Sequence, residues 1–327
     1  MNLVTGATGI VGLRIVYDLL KRNERVKALK RSSSDMAFAE KVLRFYGATD
    51  ADLTKIDWTE GDLLDLFSLE KALEEVKTVY HCAALVSYDR KDEKKLFQIN
   101  EGGTKNLVNV CLTSGVETIC HISSVAALGV EKEGPTTEES HWQRDENRSV
   151  YGLTKFIAER EVWRAGAEGL NIVAVNPSII LGPSKPDQSS GMLHSILRKG
   201  SSYYPSGAVG LVDVRTVSEC CITAVERKKF GERYLLNSEN LSFQDLLTMA
   251  AETFGNEPPK NKLPNILLEL AWRFGLIARL FGIKTISKET AQSAQRRANY
   301  DSSKAKEDLG VEFIPVGESL GWMKAFS

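Results

Sequence analysis

The sequence predicts an α/β fold, a doubly wound parallel sheet with a smaller, mostly helical C-terminal lobe. Short apolar strands alternate with helical stretches of ten or more residues as far as Asn176. Such alternation forces parallel pairing through right-handed crossovers. A glycine-rich turn, Thr5-Gly-Ala-Thr-Gly-Ile-Val-Gly12, joins the first strand to the first helix. Beyond Asn176 the rhythm breaks, and from about residue 240 the chain reads as mostly helical. Ligands of doubly wound sheets bind at the carboxyl ends of the strands, so the chemistry is sought there.

Leu3-Val4 is the first strand, and the helix after the glycine turn carries Ile10, Leu13, Val16 and Leu20 along one face. Gly6, Gly9 and Gly12 let backbone N–H groups and the positive helix end approach a phosphate, because no Cβ intervenes. Their spacing is GxxGxxG rather than the commoner GxGxxG, so an ordinary strand–helix turn explains the motif equally well when it is taken alone. Val26 to Arg31 reads as the second strand, and Ile56 to Glu60 as the third, leading into Gly61-Asp62. Phe67 to Val76 reads as helix, Val79 to Ala84 as the fourth strand, and about Lys94 to Thr113 as helix. Thr118 to Ser124 is the fifth strand, Tyr151 to about Ala165 a helix, and Ile172 to Asn176 the closing strand. Gly182 to Gly191 is a turn-rich loop. The expected division places residues 1–176 and about 211–231 in the sheet domain, and about 177–210 and 232–327 in a lobe over the sheet's carboxyl edge.

With 327 residues, 43% of them hydrophobic and 26% charged, the chain has the composition of a globular protein with a substantial core. A net charge of −1 offers no electrostatic reason to expect nucleic acid as a partner. Cys82, Cys111, Cys120, Cys220 and Cys221 show no metal-ligand spacing. With no export signal before the first strand, they read as reduced, buried thiols of a cytoplasmic protein. Pro264 to Ile283 is apolar enough to invite a membrane reading, but Glu269, Arg273 and Arg279 interrupt it. The expectation is an amphipathic helix over a core or pocket, with membrane-surface or dimer contact as the alternative, and no integral membrane segment.

Tyr151 and Lys155 stand four apart on one helix face, where a cation favours phenolate and brings a tyrosine toward proton exchange with an alcohol or carbonyl. Tyr17 and Lys21 repeat the spacing, on a helix whose start, not its end, faces the ligand edge. Context favours Tyr151, because the strand before it ends in Ser123-Ser124, whose hydroxyls can bind a carbonyl oxygen. His81 and His121 fall in buried-strand patterns and read as core or supporting residues.

Thr5-Gly-x-x-Gly-x-x-Gly12, Gly61-Asp62, His81-Cys-Ala-Ala84, Asn100-x-Gly-Gly-Thr104, Ser123-Ser124, Tyr151-x-x-x-Lys155 and Asn176-Pro-Ser-Ile-Ile-Leu-Gly-Pro183 occur in one order. Tyr300-Asp-Ser-Ser-Lys304 and Leu309-Gly310 follow. In these motifs the chain resembles the extended short-chain dehydrogenases/reductases, the NAD(P)-dependent epimerase/dehydratase family with a Rossmann sheet, over nearly its whole length. The resemblance implies that Tyr151 is the general acid/base, Ser124 the oxygen-binding hydroxyl (with Ser123 the other candidate), and Lys155 the holder of the nicotinamide ribose. It further implies that Gly6, Thr8, Gly9, Ile10 and Gly12 form the pyrophosphate turn. Asp62 and Leu63 would then lie at the adenine, Ala83 and Ala84 along the cofactor, and Pro177 near the nicotinamide.

The second strand ends in Lys30-Arg31, with no acid until Asp35. An arginine there forks onto the 2′-phosphate of NADP, whereas NAD sites offer a carboxylate to the ribose hydroxyl. NADP is therefore preferred over NAD, and two basic residues on an exposed loop are the plainer alternative. Val125-Ala126 stand where sugar dehydratases of the family carry Asp-Glu, which argues against elimination. The strand at 26–31 and the segment at 176–183 look closest to dihydroflavonol 4-reductases and 3β-hydroxysteroid dehydrogenases. The expected reaction is hydride transfer between nicotinamide and a carbonyl or secondary alcohol of a fairly apolar small molecule. Tyr88, Tyr203, Tyr204 and the apolar helix near 266–281 suit such a pocket. Two alternatives stand beside it: a nucleotide-sugar 4-epimerase with retained NAD, and a non-catalytic NAD(P)-binding regulatory protein. The epimerase would want Arg where Asn176 stands and a basic clamp, for which Lys185, Arg198 and Lys199 are available. A homodimer is common among such proteins and stays open as a partner.

Overall fold

Seven parallel strands lie in the order β3-β2-β1-β4-β5-β6-β10, and the order reverses direction between β1 and β4. They are β1 (Asn2–Thr5), β2 (Val26–Lys30), β3 (Asp57–Glu60), β4 (Thr78–His81), β5 (Thr118–Ile122), β6 (Asn171–Pro177) and β10 (Glu232–Leu236). The computed structural model describes residues 1–131, 133–143, 149–185, 189–280 and 288–326. The expected α/β doubly wound sheet is therefore present, with helices on both faces. On one face, α1 (Ile10–Lys21), α2 (Met36–Phe45) and α9 (Val214–Glu226) bury Leu13, Val16, Val42 and Val217 against the sheet. On the other, α4 (Leu66–Ala72), α6 (Gly103–Thr113) and α7 (Val150–Ala167) cover Leu69, Leu107, Ile119 and Val162. The helix α2 went unread in the sequence, although Asp35 caps it by accepting from Phe38 N–H at 3.0 Å.

The register sets the site. Thr5 pairs with His81, His81 with His121, and Ile122 with Val175. The carboxyl ends of β1, β4, β5 and β6 are consequently level, and whatever follows them is brought together.

Four expectations are corrected. The fourth strand stops at His81, not Ala84, because the glycine turn crosses there: Ala83 N–H donates to Thr5 Oγ1 at 3.2 Å, and a Cβ on Gly6 would stand 2.7 Å from the Ala83 backbone. The helix read from Lys94 to Thr113 is interrupted between α5 (Glu93–Leu96) and α6 by a π-helical turn, Phe97–Gly102. Residues from 232 were placed in the lobe, yet Glu232–Leu236 is the seventh strand, since α9 packs along α1 and returns the chain parallel to β6. The turn-rich loop gives way to helix α8 (Ser189–Lys199) before Gly191 is reached, and its residues 186–188 lie outside the described ones.

The lobe has a three-stranded sheet of β7 (Ile179–Leu181), β9 (Ala208–Asp213) and β11 (Glu239–Ser242). β8 (Tyr203–Tyr204) pairs with β12 (Asn261–Lys262). Helices α8, α10 (Phe243–Phe254) and α14 (Val316–Phe326) share a core of Leu197, Leu246, Ala250 and Leu320. The apolar stretch forms α11 (Asn265–Leu280), with residues 281–283 outside the described ones, and α12 (Lys288–Ser293) follows. No described helix is long and apolar enough to cross a membrane.

Candidate active site

A cleft of about 1480 Å³ opens along the level strand ends, beneath the lobe. It begins at the glycine turn. Gly6 adopts a left-handed conformation, φ 61°, and a Cβ on Gly12 would stand 2.2 Å from the Gly6 carbonyl oxygen. Only glycine lets the turn close this tightly. The N-cap of α1 is Gly9, which supplies no side-chain cap, and no acidic residue occupies the first turn. The first N–H groups of that helix are therefore left for a ligand, with the positive dipole end behind them. Gly6, Thr8, Gly9, Ile10 and Gly12 all line the cleft, so the cradle fits the phosphates of a dinucleotide.

Arg31, exposed at the end of β2, lines the same cleft with Lys30 and Ser34. Its N–H donates to Ser34 Oγ at 3.0 Å, which holds the loop in a tight turn. Asp35, the first acid after it, is engaged by the Lys185 ammonium and the α2 amide. Asp62, Leu63, Ala83, Ala84 and Pro177 complete the length of the cleft. Asn100, turned inward by the π-helical segment, accepts from Leu85 N–H at 2.7 Å and donates to Thr154 Oγ1 at 3.0 Å. It thereby ties the loop after β4 to α7. Asn100 occurred in the sequence only as part of a motif, because its partners are remote.

At the other end stand Ser124, Tyr151 and Lys155. Ser149 caps α7 by accepting from Gly152 N–H at 2.9 Å, which fixes the helix start and places Tyr151 in its first turn. Ser124 Oγ accepts from Ala126 N–H at 3.1 Å at the head of a short 3-10 turn, Val125–Ala127, and faces the Tyr151 phenol. Ser123 is more buried, and its hydroxyl has no partner among the described residues. Lys155 is 2% exposed and donates to the Ile122 carbonyl at 2.8 Å.

Here the electrostatics depart from expectation. Lys155 was expected to lower the Tyr151 pKa. Instead burial pushes Tyr151 up to about 12, with the Ser124 hydroxyl opposing the shift. Burial also takes Lys155 down to about 8, partly offset by Glu159. Helical spacing puts the two residues on one face, but the ammonium is turned to a backbone carbonyl and desolvation outweighs it.

His81 is held between Thr5 Oγ1 at 2.8 Å and Thr104 Oγ1 at 2.9 Å, and burial drives its pKa down to about 3. His121 lies beside it, ring centroids 5.1 Å apart, and burial also keeps it neutral. Both belong to the sheet core. The decoy pair lies elsewhere: Lys21 bonds Asp52 at 2.8 Å, and Tyr17 packs edge-on against Tyr46.

The remaining wall was only partly foreseen. Tyr88 packs edge-on against Tyr151, centroids 5.9 Å apart. Val86, Val130 and Ile179, which are exposed apolar side chains, face the cleft as well. Tyr203 and Tyr204 do not line it: their strand pairs with β12, and Tyr204 packs against the core of the lobe. Ile266, Leu267 and Leu270 of α11 are exposed and do not line it, and Leu268 is buried without lining it. Lys185, Arg198 and Lys199 are not in its wall either, whereas Arg296, Arg297 and Tyr300 are. Tyr300 opens the C-terminal motif, but no local pattern marks Arg296 and Arg297, since backbone bonds between Ala208 and residues 296–298 are what carry them to the rim.

A sequence profile of the NAD dependent epimerase/dehydratase family matches residues 2–232. A Synechocystis sp. protein provisionally named dihydroflavonol 4-reductase is 32% identical over 326 residues, covering 97% of this chain and 91% of its own. The sterol demethylase protein B of Methylococcus capsulatus is 30% identical over 318 residues, covering 95% and 93%. Among solved structures, that of gox2253 superposes with a TM-score of 0.81 at 31% identity, covering 100% of this chain and 97% of that one.

Proposed function

The chain belongs to the NAD dependent epimerase/dehydratase family, and from that premise we propose that it is an NADP-preferring oxidoreductase for a carbonyl or secondary alcohol on a fairly apolar small molecule. Membership with reductase-named relatives makes it an NAD(P)-dependent dehydrogenase/reductase. One observation carries the finer reading: Ser124, Tyr151 and Lys155 share a cleft with the glycine turn, beside Tyr88, Val86, Val130 and Ile179. The volume exceeds the roughly 300–1,000 Å³ of a single small-molecule site, which suits a dinucleotide together with a second ligand. The otherwise exposed apolar side chains at its far end suit a hydrophobic partner.

In this reading the glycine turn and the first amides of α1 bind the pyrophosphate, and Arg31 with Ser34 takes the 2′-phosphate. The nicotinamide, when bound, supplies or accepts the hydride. Ser124 Oγ binds the substrate oxygen, and Tyr151 donates or takes its proton at the phenol. Lys155, protonated below about pH 8, would hydrogen-bond the ribose. Val86, Tyr88 and Val130 exclude water from the apolar body of the substrate. We keep the domain division as a proposal, with the seventh strand moved to the sheet domain.

A nucleotide-sugar 4-epimerase is the second reading, and Arg296 and Arg297 at the rim favour it by offering cations to a pyrophosphate. A panel of aromatic and alicyclic ketones with added NADPH or NADH separates the two. The oxidoreductase reading expects NADPH-dependent turnover and no tightly retained cofactor. Sugar-nucleotide epimerisation without added nicotinamide, or NADPH binding with no turnover on any carbonyl, overturns it.

A further inference from the structure

The polar stripe of α7 continues below Lys155. One turn on, Glu159 is 2% exposed, yet both carboxylate oxygens are engaged. Oε1 accepts from Trp163 Nε1 at 3.1 Å and pairs with Arg233 Nη2 at 2.6 Å. Oε2 accepts from Asn176 Nδ2 at 2.8 Å, and the same amide donates to the Ser124 carbonyl at 3.0 Å. Arg233, in β10, also donates to the Glu138 carbonyl at 3.2 Å and lies over the Trp163 ring. None of Glu159, Asn176 and Arg233 lines the cleft.

Burying the Glu159 carboxylate beside a half-buried guanidinium costs desolvation that their attraction barely offsets, and apolar replacements of buried pairs are often as stable or more so. Stability is thus a poor reason for this cluster. Its position offers a better one, because it joins the helix carrying Tyr151 and Lys155 to the turn carrying Ser124. We propose that Glu159, Asn176 and Arg233 form a positioning connector, in which Glu159 orients Asn176, Asn176 holds the Ser124 backbone so that its hydroxyl faces Tyr151, and the carboxylate faces Lys155 from one turn below.

The charge part of this connector acts on Lys155 among few competitors. Glu159 helps to retain its proton, and the Cys82 thiol is kept neutral by burial. His81 and His121 on the adjacent strands are kept neutral by burial, and Tyr151 on its own helix is kept protonated. The inference rests on the acid/base reading of Ser124, Tyr151 and Lys155.

Three variants of the full chain test it. Asn176→Ala removes the amide and leaves the Glu159–Arg233 pair in place. Backbone amide exchange across residues 123–127 is expected to quicken about tenfold or more while β1 and α1 keep their protection. Unchanged exchange there overturns the connector, whether or not the protein turns over any carbonyl. In the active enzyme the same variant is expected to lower kcat about tenfold to a hundredfold, the scale of a misplacement near 1 Å, with the NADPH Kd within about twofold. A retained kcat, or an equal loss of NADPH affinity, counts against a positioning role. Glu159→Gln removes the charge and keeps one acceptor oxygen of the two, so the basic limb of the kcat profile should move to lower pH. Glu159→Asp should move it back, and an unmoved limb overturns the electrostatic part. Full activity in Tyr151→Phe would instead sink the acid/base reading, with the exchange result still judging the connector.

Discussion

At the scale of single residues, Lys155 is a cation held almost out of reach of water. A lysine 2% exposed, with its pKa lowered to about 8 from 10.5, binds its proton less tightly in the folded chain than in the unfolded one. Between those values the unfolded chain holds more protons, so this group's contribution to stability rises with pH. Lys155→Met is therefore expected to stabilise the fold at pH 7 by roughly 3 kcal/mol while destroying turnover. The gain should shrink as pH rises from 8 towards 10.5, and denaturant melts at pH 7 and pH 10 check it; a constant gain contradicts the assignment. Tyr151, raised to about 12, has the opposite sign, favouring the fold up to pH 10 and losing that contribution as pH climbs through 12. Tyr151→Phe should cut kcat by about a hundredfold or more, the usual worth of a positioned acid/base, and leave NADPH binding nearly intact. Arg31→Ala should weaken NADPH at least about tenfold more than NADH, since a charge-assisted fork onto phosphate is lost. Titration by nicotinamide fluorescence decides this, and equal losses for both cofactors reverse the preference.

At the scale of elements, α7 brings the site together. Its buried face carries Tyr151, Thr154, Lys155 and Glu159, polar side chains where a packing helix would place apolar ones. Each has a partner across the sheet edge, so the stripe costs less than its burial suggests. The contact between α7 and the Ser124 turn is equally close. A Cβ on Gly152 would stand 2.8 Å from the Ala126 carbonyl oxygen and 3.2 Å from Ser149 Oγ. Gly152→Ala is accordingly expected to push the Val125–Ala127 turn away from the helix. Steady-state kinetics should show kcat falling while the NADPH Kd changes little, because the glycine turn at the far end is untouched; unaltered kcat would mean that the turn yields without consequence.

For the whole molecule, the cleft lies between a sheet held by two flanking cores and a lobe with a core of its own. A ligand that bridges the two should stabilise both. At a hundred times its Kd a cofactor adds about 2.7 kcal/mol. Thermal unfolding should therefore shift upward with NADPH, and much less with NADH at the same concentration. Equal shifts would argue that the 2′-phosphate finds no partner at Arg31.

The strand–helix rhythm, the glycine turn and the shared helix face of Tyr151 and Lys155 were legible in the sequence because each is local: periodicity, backbone freedom and i,i+4 spacing are written within a few residues. So was the family, since the motifs keep their order. The sequence could not assign β10 to the sheet, turn Asn100 inward, or bring Arg296 and Arg297 to the rim, because those depend on pairings between segments far apart in the chain. It also misjudged the pair it identified best. Spacing put Lys155 beside Tyr151, but desolvation is the largest cause of both pKa shifts, upward for the phenol and downward for the ammonium. Which residues meet on one helix face follows from the helical repeat alone; how strongly they act on one another depends on how much water the rest of the fold excludes.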